Sequence, residues 1–403
     1  MQRAGRIEMT EDEISQLRLL MAYEKQRSRP PVGFPVFPDL PAGRYIDPRF
    51  EELERDHLWR KSWLLAGHLD EVPAPGSTKL WEMAGQPIVL IHARSGKVNA
   101  FFNTCSHRGA PVVTSAAGQR ARLTCKYHGW VYDDEGKLVS IRDSEDFSDF
   151  DFSCRSLRAV RCELYGKFIF VNFDPDAPPL AQWLGVIGDE LTEFRFESAR
   201  LVDHYVWELD CNWKIAMEAN MEVYHVPSIH PSTVALALDH RRNVNTLYPG
   251  GHSRMVAPGW DNTRASYIAD SARPEFESVG EIARTCTQSY SIVPNLVSPP
   301  GATGTFVLAF WPNGIAKSRL EVWWIGPDWG DTQRPAYWDQ TIAFLNAVLE
   351  EDTQFGSWIQ RSQNSYGFKG VPLSYQEARI YHWHQAADQL IGIDRIPPEL
   401  RVA

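Results

Sequence analysis

Two short segments carry residues able to hold iron or zinc: Cys105-Ser106-His107 and Cys125-Lys126-Tyr127-His128. Thiolates suit zinc or iron–sulfur clusters, and imidazoles suit zinc, copper or iron. One class of [2Fe–2S] centre is held by two Cys on one iron and two His on the other. Its neutral imidazoles raise the reduction potential above that of an all-Cys cluster. A four-ligand zinc site on two loops is the alternative. Zinc fingers, however, more often pair Cys with Cys and His with His along the chain.

The flanking residues extend the pattern. The first pair continues into Arg108-Gly109 and the second into Gly129-Trp130. Glycine beside a ligand lets backbone approach a cluster and donate N–H bonds to sulfur, which tunes its potential. Both segments resemble the cluster loops of Rieske proteins.

A second metal signal lies in the stretch Asn212 to Pro231, where His225 and His230 flank Pro227. Proline is excluded from a helix interior, so the spacing predicts His225 at a helix end and His230 in the following turn. Two imidazoles plus a distant carboxylate make the facial triad of a non-haem Fe(II) oxygenase, with positions open for O2. The carboxylate candidate is Asp352. Phe344, Leu345, Val348, Leu349, Asp352, Phe355 and Ile359 are expected to share one face of a helix. A carboxylate on an apolar stripe needs a partner, and a metal would be one. Glu350 and Glu351 are rival ligands that the stripe disfavours.

Taken together and in this order, the motifs resemble those of the oxygenase α subunit of Rieske non-haem iron (ring-hydroxylating) oxygenases, from about residue 40 onward. The resemblance implies that Cys105, His107, Cys125 and His128 hold a Rieske [2Fe–2S] cluster. It implies that His225, His230 and Asp352 hold a mononuclear Fe(II), with O2 as cosubstrate. Glu222 then occupies the acidic position that links an iron-ligating His to a cluster His of the neighbouring subunit, and Asn212 matches a polar residue near the catalytic iron. Two departures stand out. The linking acid is Glu where most of the family has Asp, which resembles a subgroup acting on carnitine, betaines and choline. The family's Glu-Asn pair appears as Glu218-Ala219-Asn220. Away from the family register, Glu222 reads as a solvated helix acid.

Other conspicuous residues carry less. His382 and His384 are expected on the surface of a helix, and His252 in a Gly-bracketed turn. His57, His68, His92, His204 and His240 show no ligand spacing. Trp323-Trp324 falls in a strand pattern whose alternation sends one ring to the core and one outward. Met217, Met221, His252, Asn295 and Phe355, with Asn212, are the expected pocket-lining positions.

The chain of 403 residues fits two domains, and its composition supports a sizeable core. A net charge of −10 argues against nucleic-acid binding. The start, Met1 to Glu8, lacks an apolar signal core, no run is long enough for a bilayer, and Cys154, Cys162, Cys211 and Cys286 show no disulfide framework. A cytoplasmic location is expected. Residues 1–45 read as a helical arm and linker, with Ile14, Leu17, Leu20 and Met21 at helical spacing. Residues 46–174 read as an all-β Rieske domain, closed by the Pro-rich run Asp174 to Pro179. For residues 175–403 the resemblance implies an α+β catalytic domain, an antiparallel sheet covered by helices in the helix-grip manner.

The resemblance also implies electrons from an NAD(P)H-dependent reductase or ferredoxin. They would serve hydroxylation, dihydroxylation or oxidative demethylation of a small, expectedly aromatic molecule. A quaternary-ammonium monooxygenase is the competing expectation, and an electron carrier without oxygenase activity a remote one. Transfer through Glu222 between subunits implies a closed head-to-tail ring, expected to be a homotrimer, with a small β subunit left open.

Overall fold

The computed structural model describes residues 9–260 and 273–402. The start, Met1 to Glu8, lies outside them. The chain forms two compact units, Arg60–Gln182 and the pair of segments Met1–Trp59 with Trp183–Ala403. The helical turns from Pro48 to Trp59 belong to the second of these, although the sequence reading began the Rieske segment at residue 46.

The 60–182 unit is built of antiparallel strands, as short β-branched and aromatic runs between turns predict. Ile88–His92 pairs with Val98–Phe102 and Ser77–Trp81 inside a seven-stranded sheet. A three-stranded sheet, Leu123–Thr124, Val131–Tyr132 and Leu138–Ser140, carries the second Cys-His loop at its first turn. Val89, Ile91, Phe101, Leu123, Tyr132 and Leu157 form a core to which Cys105 and Cys125 themselves belong.

The other unit holds a second seven-stranded antiparallel sheet, running from Arg200–Leu209 through Ser318–Gly326 and Thr305–Pro312 to Val244–Leu247. The helices Trp213–Ala219 and Ala378–Ile391 pack against it. The architecture is the expected α+β one. Trp323 and Trp324 are both buried, contrary to the expectation of one outward ring. Alternation still sends them to opposite faces, but both faces are covered. Trp323 stacks on His204, and Trp324 packs on Phe306 and donates to the Tyr205 hydroxyl.

Three further expectations change. His384 is fully buried, because the helix Ala378–Ile391 is enclosed nearly all round. Arg44 Nε donates to its Nδ1 at 3.0 Å, its Nε2 donates to Glu218 at 2.9 Å, and burial beside two cations pushes its pKa well down. His382 is half-buried and donates to the Tyr248 carbonyl. The helix Tyr337–Thr353 does not run on through Ile359. It breaks before a second helix, Gly356–Gln363, and leaves Phe355 and Ile359 exposed. A Cβ at Gly356 would stand 2.8 Å from Cys211 Sγ, so this corner admits only glycine.

The arm forms the helix Glu11–Gln26, started by a Thr10–Glu13 capping box. Its buried stripe is Ile14, Leu17, Met21 and Glu24, seated against Val244, Val256, Ile282 and Cys286. Leu20, expected on that stripe, is 48% exposed at its flank. Leu17→Ala is therefore expected to cost about 2–4 kcal/mol in denaturant unfolding. Leu20→Ala should stay within about 0.5 kcal/mol. Equal losses at the two positions would show that the helix docks by another face.

Candidate active site

His225 is the N-cap of the one-turn helix Val226–Ile229, with Pro227 in its first turn, and His230 is the C-cap. The spacing of five residues thus wraps the two imidazoles around one short helix. Asp352 lies in the last turn of Tyr337–Thr353 and reaches both: Oδ1 is 2.8 Å from His230 Nε2 and 3.3 Å from His225 Nε2. Ligand atoms of the three lie within 4.8 Å of one another.

The outward nitrogens are also engaged. His225 Nδ1 is 2.5 Å from Glu222 Oε1, and His230 Nδ1 is 2.7 Å from Glu351 Oε2. Thr233 donates its hydroxyl to the same Glu351 oxygen. A carboxylate on each Nδ1–H fixes the ring and leaves Nε2 for a metal. Glu351, a rival ligand in the sequence reading, is thus the orienting partner of His230; its place one residue before Asp352 was the available signal.

Burial opposes charge on His225, but hydrogen bonds and charge from Asp352 and Glu222 outweigh it and raise its pKa to about 10. His230 is raised in the same way, chiefly by Asp352 against burial. Burial raises Asp352, and its bonds to the two imidazoles more than reverse this. Two imidazoles and one buried carboxylate, converging with their outer nitrogens already satisfied, fit a single divalent cation. Glu222 does not sit on a helix facing solvent. It lies in irregular chain between bends, and its carboxylate turns back to accept from the backbone N–H of Tyr224 and of His225.

A cavity of about 230 Å³ opens on the three residues and is walled by Val226, Leu238, Met255, Phe306, Leu308 and Trp324. The expected lining positions fall elsewhere. Asn212 caps the helix Trp213–Ala219 and donates to the Tyr45 and Ile315 carbonyls. Met217 and Met221 are core residues with no exposure. His252 lies buried between the Trp183 carbonyl and the Val293 N–H, and burial lowers its pKa to about 4. Asn295 is sealed in the sheet, donating to the Phe310 carbonyl. Phe355 alone of these lines a hollow that touches the triad, a second one bordered also by Glu222, His225 and Asp352. At Asn212, Met217, Met221, His252 and Asn295, backbone hydrogen bonding or core packing uses the side chain instead.

In the other unit, the two Cys-His loops share one hydrogen-bond scheme. Cys105 N–H donates to Ala110 O at 2.8 Å and Gly109 N–H to Cys105 O at 2.9 Å. Cys125 N–H donates to Trp130 O, and Gly129 N–H to Cys125 O, both at 2.9 Å. Gly109 and Gly129 have φ of +78° and +73°, the left-handed turn that brings each loop back. The thiols are buried and free, and the His107 and His128 rings lie 4.6 Å apart. Trp130 stacks on His107. The Tyr132 hydroxyl is 3.2 Å from Cys105 Sγ and accepts from Ser106 N–H. Asn103, which the sequence reading missed, pins the loop through Val112 N–H, Val113 N–H and the Val113 carbonyl.

His107 Nδ1 is buried without a hydrogen-bond partner, as expected of a ligand nitrogen. Tetrahedral zinc would draw all four ligand atoms within about 4 Å of one another. Among the described residues, the group of three or more that converges on a single ion is His225, His230 and Asp352. The wider Cys-His set therefore suits a two-iron cluster better than zinc.

Comparison with known proteins agrees. A profile for the Rieske [2Fe–2S] domain matches residues 62–151, and one for the ring hydroxylating alpha subunit (catalytic domain) matches residues 196–393. The chain belongs to the Rieske non-haem iron oxygenases. The chain is 30% identical over 200 residues to the glycine betaine monooxygenase oxygenase subunit of Pseudomonas aeruginosa (strain UCBPP-PA14), spanning 50% of the chain and 46% of that relative. It is 26% identical over 368 residues to the biphenyl 2,3-dioxygenase α subunit of Rhodococcus jostii (strain RHA1), spanning 81% and 77%. A quaternary ammonium Rieske monooxygenase of known structure superposes with a TM-score of 0.74 at 21% identity, over 97% of this chain and 100% of that one. That last likeness is one of fold.

The two matched domains imply a [2Fe–2S] cluster and a mononuclear iron. Cys105, Cys125, His107 and His128 would hold the first, and His225, His230 and Asp352 the second.

Two outcomes follow from this geometry. Tyr132→Phe removes a hydrogen bond to a ligand sulfur, worth about 1 kcal/mol. The cluster potential should fall by roughly 40 mV in protein-film voltammetry. An unchanged potential would mean the hydroxyl does not bond to sulfur. At pH 7.5, below the His225 pKa of about 10, metal must displace a proton. Calorimetry of Co(II) or Fe(II) uptake in buffers of different ionisation enthalpy should show at least one proton released. Apparent affinity should rise about tenfold per pH unit towards pH 9.

Proposed function

We propose that the chain is the oxygenase component of a Rieske system, using O2 to hydroxylate, dihydroxylate or oxidatively demethylate a small aromatic molecule. The observation that carries this reading is the triad His225, His230 and Asp352 opening on a cavity with largely apolar walls. Bound there, iron supplies O2 activation, and the Rieske cluster supplies electrons singly from an NAD(P)H-dependent reductase or ferredoxin. The protein's own residues do the rest. Glu222 and Glu351 hold the Nδ1 protons of the two imidazoles, so that both Nε2 atoms face inward. Val226, Leu308 and Trp324 hold an apolar substrate and keep water from the site.

The competing quaternary-ammonium reading draws on Glu222 and on the betaine-oxidising relative. A quaternary cation calls for an aromatic cage or a free carboxylate. Phe306, Trp324 and Trp338 offer aromatic surface to either substrate, but the acids among the described lining residues, Glu222 and Asp352, are both engaged by His225. The want of a free carboxylate among these residues favours the aromatic reading. An electron carrier would have no use for the triad.

Glu222 also borders a hollow of about 310 Å³ with Phe355, Ile359 and Glu377 on its far side. Phe355, Trp358 and Ile359 expose apolar surface beside it. A carboxylate bound to His225 and reachable from that hollow suits the linking role, passing electrons from the cluster of a neighbouring copy within a closed ring, a homotrimer. Residues 46–174 and 175–403 would then act as cluster and catalytic domains of different copies.

Single turnover of the chemically reduced protein with O2 tests the reading. Aromatic acids should be oxidised, and carnitine, choline and betaine analogues left intact. The reverse would transfer the chain to the quaternary-ammonium group. Glu222→Ala should retain both iron centres, by metal analysis and visible absorption, and lose at least a hundredfold in turnover. Turnover at the native rate would remove Glu222 from the electron route.

A further inference from the structure

The charged groups lining the cavity divide into two ends. Its carboxylates, Glu222 and Asp352, both lie at the metal end. Its arginines among the described residues are Arg273 and Arg284. Arg284 is paired with Glu275 at 2.9 Å. Arg273 is placed differently. Its Nη1 donates to the Thr341 hydroxyl at 2.7 Å, and its guanidinium lies 4.6 Å over the Tyr337 ring. Its Nε is sealed from solvent with no hydrogen-bond acceptor. Among the described residues no carboxylate lies within ion-pair distance of it. A half-buried guanidinium that lines a cavity and meets no carboxylate among the described residues is poised for an anion.

The helix Tyr337–Thr353 supplies a ruler. Thr341, Leu345, Val348 and Asp352 follow one another at three- and four-residue spacing, and all line the cavity. Thr341, which anchors Arg273, and Asp352, which faces the two imidazoles, are eleven residues apart, about 16 Å along the axis at 1.5 Å per residue. Both side chains lean the same way along the helix, and the side-chain, hydrogen-bond and metal contacts at the two ends take up much of this length, leaving several bonds for the substrate.

We infer that the substrate is an anion, whose carboxylate or sulfonate is held in the fork of Arg273, steadied by Thr341 and Tyr337, while its oxidised carbon lies at the triad. This inference rests on the oxygenase reading of the same cavity. It adds charge and length to it. The anionic group must stand several bonds from the reacting carbon, through a second ring or a spacer of two or three carbons. An acid whose carboxylate is attached directly beside the oxidised carbon is too short to reach both ends. Arg273 is accordingly a specificity residue for a reaction whose metal it never touches.

Binding to the metal-loaded protein can be read by calorimetry without turnover, with product formation followed separately by mass spectrometry. The probes are 3-phenylpropanoate, its neutral amide, benzoate and a trimethylammonium analogue. The native protein should bind 3-phenylpropanoate at least tenfold more tightly than the amide or benzoate. Arg273→Gln should erase the preference for acid over amide, and Arg273→Lys should restore part of it. Thr341→Val, which leaves the charge in place, should weaken the acid severalfold. Iron content and the visible spectrum of each variant report that the protein is folded. Equal binding of acid and amide by the native protein would overturn the inference, as would acid binding indifferent to Arg273, binding of the cation alone, or binding of no probe. Arg273-dependent binding without product would support the anion site and count against the oxygenase reading. Oxidation of the neutral amide indifferent to Arg273 would do the reverse.

Discussion

Burying Asp352 requires positive charge around it, and the two imidazoles that meet its Oδ1 are the means by which this chain provides it. Each imidazole is in turn held from behind by a carboxylate, Glu222 or Glu351. Two imidazoles among three acids, Asp352, Glu222 and Glu351, form an acidic pocket that suits a divalent ion. The organisation of the catalytic unit follows from keeping that contact in place. A one-turn helix sets the separation of the histidines, and a long helix brings the aspartate from 122 residues beyond His230 in sequence.

The segment that carries the histidines is fastened by buried charge. Lys214 is paired with Glu54 at 2.7 Å, and Glu218 accepts from Tyr45 and His384. Burial raises the Glu218 pKa to about 8, so its carboxyl is mostly protonated near neutral pH. Arg379 donates to the Met221 carbonyl, to Ser253 and to the Ser289 carbonyl, and burial brings its pKa down to about 9. These groups are worth little as isolated pairs in a stability account. Their effect is geometric: they hold the chain on both sides of the irregular stretch at Glu222.

The cluster loops solve a related problem with backbone alone. Each Cys closes its loop through its own N–H and C=O, and a left-handed glycine makes the return possible. Because both thiols belong to the hydrophobic core, the histidines are left on the partly exposed side, where an electron partner can approach them. The two metal sites thus differ in kind. One is a rigid pair of loops over a β core, the other a set of side chains held by a helical segment and its buried partners.

Much of this was legible in the residues. The Cys-His spacing, the His225–Pro227–His230 order and the aspartate on an apolar helical stripe are local patterns, and local patterns survive in one dimension. So do the strand runs and the capped arm. What the sequence could not show is which side of an element faces which neighbour. Leu20 fits the helical period as well as Leu17 does, yet only the sheet decides that Leu17 is covered. His384 reads as a surface residue until a second layer encloses its helix. Asn212, Met217 and Asn295 have types suited to a pocket, but each was taken by a cap, a core or a strand ladder. Glu351 and Arg273 acquire their roles through partners met in space, one of them His230 from 121 residues away. The candidate ligands could be picked out by type and spacing, because metal chemistry constrains both. The lining and charge of the cavity were decided by tertiary packing alone, because they depend on contacts between segments that sequence distance does not encode.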